Sequence, residues 1–119
     1  MNHKKFDQEH IDVFNHVVSR AISYAPVVEE IWFHGSRARG DNKPSSDWDF
    51  LAVLPDAEMG GALFNCLSNM DGPFYKLRFN LPKKALDVQA TFDTGSVANP
   101  LTYAKIEGYC LWSRGAKLY

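Results

Sequence analysis

The sequence has little cysteine, and its thiols are not spaced for a structural cross-link or a metal ribbon. Cys66 and Cys110 are the two cysteines among 119 residues. They form no CxxC pair, and both fall in stretches whose pattern predicts helix. Zinc-ligand spacing with these cysteines is also missing from the histidines, which are His3, His10, His16 and His34. We therefore expect no disulfide scaffold and no zinc site, but two buried, reduced thiols.

The chain also lacks an excess of one charge sign and a long apolar run. Its 13 basic and 14 acidic residues give a net charge of −1, so nothing draws it electrostatically to nucleic acid or an anionic membrane. No apolar run approaches the length of a membrane span, and residues 1–5 lead into no signal-like core. The sequence predicts one cytoplasmic domain over residues 1–119, with neither a membrane nor a nucleic acid as partner.

Hydrophobic periodicity predicts the elements of the first half. An apolar stripe at helical spacing predicts a helix over residues 7–24 with Asp7 as N-cap; its members are Ile11, Phe14, Val18, Ala21 and Ile22. Short apolar runs bounded by turn residues predict strands over 28–34 and 47–54. A helix is predicted over 57–70.

The second half predicts two more strands and a closing helix. A strand is expected over 74–80, and alternation predicts another over 86–92. Asn99 followed by Pro100 is a typical helix start, which predicts a helix that runs to residue 114 and stops at Gly115. A short strand should close the chain over 116–119. Together these elements predict an α/β (α+β) fold, a small mixed or mostly antiparallel sheet backed by helices.

The most informative stretch joins a glycine–serine pair to two aspartates. Gly35 follows an apolar strand and would let the backbone approach a bulky anion. Ser36 suits the N-cap of the turn that follows, whose N–H groups favour a phosphate. Ten residues later come Asp47 and Asp49, which at the two-residue strand period would share one face. Paired carboxylates suit Mg²⁺ bridged to substrate phosphates, so this stretch predicts a nucleotide and metal site.

This stretch, FHGSRARG followed by SDWDFLAVL, resembles the nucleotidyltransferase superfamily related to DNA polymerase beta. It is most similar to the minimal nucleotidyltransferases, whose signature is GSx10DxD, and residues 113–119 also look like the end of that group. The resemblance implies the nucleotidyltransferase fold. It also implies that Gly35 and Ser36 bind nucleotide and that Asp47 and Asp49 are catalytic metal ligands.

A third carboxylate is expected, because holding two metal ions takes more than two carboxylates. Asp87, on the polar face of the strand over 86–92, resembles the third carboxylate of the family. It would ligate a metal and take the hydroxyl proton; Asp93 is the second choice. Arg37 and Arg39 either bind the outer phosphates or form a solvated helix face.

The activity that the resemblance implies is Mg²⁺-dependent transfer of AMP from ATP, or of another nucleotide from its triphosphate, to a hydroxyl, with two ions. Minimal nucleotidyltransferases often pair with a helical HEPN-domain protein, as the antitoxin that adenylylates its partner. Two alternatives stay open: a non-catalytic binding module that silences a partner by docking, and a small-molecule enzyme of the aminoglycoside type. A basic group over 76–84 predicts either a solvated hairpin or a docking surface for an acidic partner or RNA.

Overall fold

A computed structural model of the chain describes residues 6–24, 26–55, 86–92 and 99–119. Its helices are α1 (Gln8–Tyr24), α2 (Ser36–Arg39) and α3 (Pro100–Glu107). Its strands are β1 (Glu30–His34), β2 (Trp48–Leu54), β3 (Leu86–Phe92), β4 (Tyr109–Ser113) and β5 (Ala116–Lys117). The predictions of a helix over 57–70, a strand over 74–80, the basic group over 76–84 and the roles of Cys66 and Asp93 lie outside the described residues.

The strands form one mixed sheet, as the sequence predicted. Their order is β3-β2-β1-β4-β5. β2 and β3 pair in parallel, whereas the β1–β2, β1–β4 and β4–β5 pairs are antiparallel. β2 therefore lies between β1 and β3, and the two elements that carry the glycine–serine pair and the aspartates are direct neighbours.

Helix α1 covers one face of the sheet. Asp7 caps it as predicted, because its carboxylate accepts from the His10 N–H at 2.9 Å. Val13, Phe14 and Val17 are fully buried in the core cluster on this face. The predicted apolar stripe lies slightly to one side of the face of α1 that is buried. It included Ile11, which is only partly buried, and left out Val13 and Val17.

Helix α3 covers part of the other face. Its Leu101 and Ala104 cluster with Leu51 and Val53 of β2, and Trp32 packs against them. Because β2 is covered on both faces, its apolar residues are buried at consecutive positions from 50 to 54. The predicted start of α3 is confirmed: the Asn99 side chain accepts from the Leu101 N–H at 2.9 Å, and Pro100 occupies the first helical turn.

The prediction of a helix from 100 to 114 was wrong in its second half. Helix α3 ends at Glu107, and Gly108 has an extended backbone that leads into β4. Leu111 and Trp112 continue the apolar spacing of a helix, but the stretch that contains them is β4, which pairs with β1. Cys110 therefore lies on a strand and is partly buried. Gly115, with φ +90°, serves the turn between β4 and β5, the short closing strand, and not a helix end.

Within the described ranges, no helix is both long and apolar enough to cross a membrane.

Candidate active site

Gly35 forms the turn between β1 and α2. Its backbone angles, φ 81° and ψ −165°, belong to a region that is essentially restricted to glycine. Its carbonyl oxygen accepts from Ala38 N at 3.1 Å and from Arg39 N at 3.0 Å, so Gly35 itself is the N-cap of α2. The prediction that Ser36 caps this turn was wrong by one residue, because Ser36 is already the first helical residue. Among the described residues, no backbone carbonyl accepts from the N–H of Ser36 or Arg37.

The carboxylate of Asp49 lies directly against Gly35. A Cβ placed on Gly35 would overlap Asp49 Oδ2 and would lie 3.0 Å from Asp49 Cγ and 3.1 Å from Asp49 Cβ. The glycine is therefore required twice, once for its backbone angles and once to leave room for a carboxylate. The two halves of the sequence motif, separated by residues 37–46, meet at this point.

The strand register aligns three residues at this end of the sheet. Asp49 pairs with His34 across the antiparallel β1–β2 ladder and with Asp87 across the parallel β2–β3 ladder. Directly opposed residues of an antiparallel pair share a face, with Cβ atoms about 4.5–5.5 Å apart. His34 thus neighbours the Asp49 carboxylate, and the sequence analysis missed it. The sequence carries only a weak signal for a role of His34 at the site, because only the β1–β2 register distinguishes this histidine from any other strand residue.

Asp47 lies just before β2 and is exposed. The predicted strand started one residue too early, because the ladders begin at Trp48 and Asp49. Trp48, which lies between the two aspartates, points into the core. It is fully buried, and its ring centroid lies 5.1 Å from that of His10 and 6.0 Å from that of Phe33.

The guanidinium of Arg37 binds the loop that precedes Asp47. Arg37 Nε donates to Ser46 O at 3.0 Å and Nη2 donates to Pro44 O at 3.1 Å. The same group lies over the Trp48 ring, 4.6 Å from its centroid. These contacts hold the loop, and the predicted contact between Arg37 and a phosphate stays a prediction.

Arg39 connects α2 to the end of α3. Its Nη1 donates to Glu107 Oε1 at 3.1 Å and its Nε to Asp41 Oδ2 at 3.3 Å. Hydrogen bonds to Asp41 and then to Glu107 raise the pKa of Arg39 above its ordinary value. The side chain is well exposed, so this pair of bridges contributes little to stability. The role of Arg39 in nucleotide binding likewise stays a prediction.

The carboxylates at this site fit Mg²⁺ by their chemistry. Magnesium prefers hard oxygen ligands and takes few from the protein, because substrate phosphates and water supply the rest. Asp49, whose carboxylate lies against Gly35, and Asp47, two residues before it, offer such ligands. Among the described residues, no group of three or more His, Cys, Asp and Glu side chains is arranged to hold a metal. The role of Asp87 as the third ligand stays a prediction. Its position opposite Asp49 in the β2–β3 register is what the structure gives.

Comparison with solved structures finds chains that share the fold of this protein. The chain resembles a protein from Sulfolobus solfataricus provisionally named a nucleotidyltransferase, with 24% identity, a TM-score of 0.58, and coverage of 99% of this chain and 98% of that one. It also resembles a chain of a toxin–antitoxin structure with AMP-PNP, with 17% identity, a TM-score of 0.51, and coverage of 85% and 73%. No curated protein matches the chain significantly.

The family model for the nucleotidyltransferase domain matches residues 15–101. That range contains the part of α1 from residue 15 onward, the Gly35 turn, the aspartates and β3, which is most of the chain and all of the candidate site. The chain therefore belongs to the nucleotidyltransferase domain family.

Proposed function

We propose that this chain catalyses Mg²⁺-dependent transfer of AMP from ATP to a hydroxyl group. The observation that carries the proposal is the contact between Gly35 and the Asp49 carboxylate, with Asp87 in register on the adjacent strand. It brings a turn suited to phosphate next to a carboxylate suited to a metal. Asp47, Asp49 and Asp87 would hold two Mg²⁺ ions. When bound, these ions neutralise charge on the phosphates.

The residues of the chain would then position the reactants. The acceptor oxygen attacks the α-phosphorus, the bond to the β-phosphate oxygen breaks, and pyrophosphate leaves. Asp87 accepts the proton of the attacking hydroxyl. The Gly35 turn would face the triphosphate, with the N–H groups of Ser36 and Arg37 available to its oxygens.

For the acceptor, we propose a partner protein, namely a helical HEPN-domain toxin for which this chain acts as antitoxin. Two findings favour a protein acceptor over a small molecule. The site motif resembles the minimal nucleotidyltransferases, and the fold resembles a chain of a toxin–antitoxin structure with AMP-PNP. The modification would silence the partner.

The test is to express the chain together with the protein encoded next to it and to weigh the neighbour by intact-mass spectrometry. We expect a mass increase of one or more nucleotide units with wild type, and none with Asp87→Asn, although the two proteins should still associate. Asp12→Asn is the matched control, because it removes the same charge from an exposed position on α1.

Other outcomes would select another function. A neighbour that is bound and silenced but unmodified would support the docking module. An unbound neighbour, together with transfer to aminoglycosides supplied to the purified chain, would support the small-molecule enzyme. If wild type and Asp12→Asn show no transfer to either kind of acceptor, the proposed activity is wrong.

A further inference from the structure

The loop before Asp47 is a closed turn held by its own hydrogen bonds. Ser46 N donates to Lys43 O at 3.0 Å, and Lys43 N donates to Ser46 Oγ at 2.9 Å. The turn is exposed over 43–45. These internal bonds fix its shape but do not fix its position against the rest of the domain.

Arg37 supplies an attachment to the domain. It extends from α2 and donates to the carbonyl oxygens of Pro44 and Ser46 at 3.1 and 3.0 Å. Its guanidinium also lies 4.6 Å from the centroid of the Trp48 ring, which is fully buried. The same side chain therefore contacts the residue before Asp47 and the residue after it.

Asp47 depends on such an attachment more than Asp49 does. Asp49 is paired in the β1–β2 and β2–β3 ladders, and its side chain lies on Gly35. Asp47 precedes the first paired residue of β2 and is exposed. Its position is therefore set by Trp48 on one side and by the 43–46 turn on the other.

We propose that Arg37 is a positioning residue for Asp47: it docks the 43–46 turn onto Trp48 so that the Asp47 carboxylate stays in place for the metal. This inference rests on the proposed function, since it takes Asp47 as a Mg²⁺ ligand. It gives Arg37 a role other than direct contact with phosphates. Groups that orient metal ligands from outside commonly change metal affinity by about 10- to 100-fold when they are removed.

The chemistry of the side chain explains why arginine occupies this position. A guanidinium is planar, donates in two directions at once and stacks on an aromatic ring. A lysine would keep the positive charge but could not reproduce two divergent N–H donors and the stacked plane. Lysine at position 37 therefore separates positioning from simple charge attraction.

The experiment measures Mn²⁺ binding. Mn²⁺ substitutes for Mg²⁺ at oxygen sites, and electron paramagnetic resonance measures the concentration of free Mn²⁺. Each variant is titrated with Mn²⁺ in the presence of saturating AMP-PNP, and AMP-PNP affinity is also measured without metal. The variants are Arg37→Gln, Arg37→Lys, Asp47→Asn and the double variant Arg37→Gln/Asp47→Asn. Arg20→Gln, an exposed arginine on α1, is the matched control. Thermal melting checks that each variant is folded.

We expect Arg37→Gln and Arg37→Lys each to weaken Mn²⁺ binding about tenfold or more, with metal-free AMP-PNP affinity little changed. The double variant should bind Mn²⁺ no more weakly than Asp47→Asn alone, because Arg37 acts through that carboxylate. Arg20→Gln should match wild type.

Three results would overturn the inference. One is wild-type Mn²⁺ affinity in both Arg37 variants, and another is further weakening in the double variant. The third is a loss of metal-free AMP-PNP affinity in Arg37→Gln that lysine restores, which would indicate phosphate contact. If wild type binds no Mn²⁺ or Asp47→Asn changes nothing, the metal site of the proposed function is wrong, a failure separate from these.

Discussion

Replacing Gly35 by alanine should separate the cost of a strained backbone from the displacement of a functional side chain. The new Cβ would be placed on a backbone with φ 81° and ψ −165°, and it would overlap Asp49 Oδ2. The backbone must relax, or the carboxylate must move away, or both. Any of these changes disturbs the point where the turn and the carboxylate meet.

The magnitude follows from two terms. Holding a residue other than glycine in this region of backbone angles costs on the order of 1–3 kcal/mol. The Cβ would also lie 3.0 Å from Asp49 Cγ, well inside normal carbon contact at about 3.5–4.0 Å. A carboxylate displaced by about 1 Å can lower the rate of a positioned reaction by roughly 100-fold. We therefore expect a melting temperature lower by about 4–12 °C and transfer activity lower by about two orders of magnitude.

Gly115→Ala is the matched control. Gly115 also has positive φ, +90°, but a Cβ there would meet no atom within 4 Å. Alanine should cost roughly 1–2 kcal/mol through the backbone alone and leave the site intact. The assays are thermal melting of both variants and turnover of labelled ATP at a temperature where both are folded. If Gly35→Ala keeps activity within a few-fold of Gly115→Ala, then Gly35 does not hold the space for Asp49 and our reading of the contact fails.

The remaining predictions concern the carboxylates and two titratable side chains. Asp47→Asn and Asp49→Asn should each abolish transfer with little change in melting temperature; near-normal turnover at saturating Mg²⁺ and ATP would refute the metal assignment. Burial, and then the Arg20 guanidinium, lower the pKa of His16 below 6.5, so the folded state binds its proton less well than the unfolded state. Stability should therefore fall as the pH drops below about 6.5, and a stability-against-pH curve that His16→Gln does not flatten would contradict this. Burial raises the pKa of Cys110 to about 11, two units above its ordinary value. In a Cys66→Ser background, iodoacetamide should therefore label the folded protein at least about tenfold more slowly than the urea-unfolded chain. Equal labelling rates would refute this prediction.

Local sequence signals determined much of the fold. The Asp7 and Asn99 caps, the alternation over 86–92 and the apolar run over 50–54 each specify an element through hydrogen bonds or periodicity within a few residues. The nucleotidyltransferase motif, too, could be recognised from the spacing between Gly35 and Asp47.

Pairing across the sheet corrected the prediction where local signals were ambiguous. Leu111 and Trp112 continue the apolar spacing of a helix, but aromatic residues also suit a strand, and β4 pairs along an edge of β1. The context decided the outcome, because the backbone of β1 requires a partner on that side.

At the candidate site, the sequence alone determined which residues occur and in what order: a glycine that tolerates unusual backbone angles, followed by paired carboxylates and arginines. The tertiary structure decided what each of them touches. It placed Asp49 on Gly35, His34 opposite Asp49 and the Arg37 guanidinium on the turn before Asp47. These contacts depend on strand register, and a shift of one residue would send every side chain of β2 to the opposite face. Register is set by the packing of both faces of the sheet at once, which no short stretch of sequence contains.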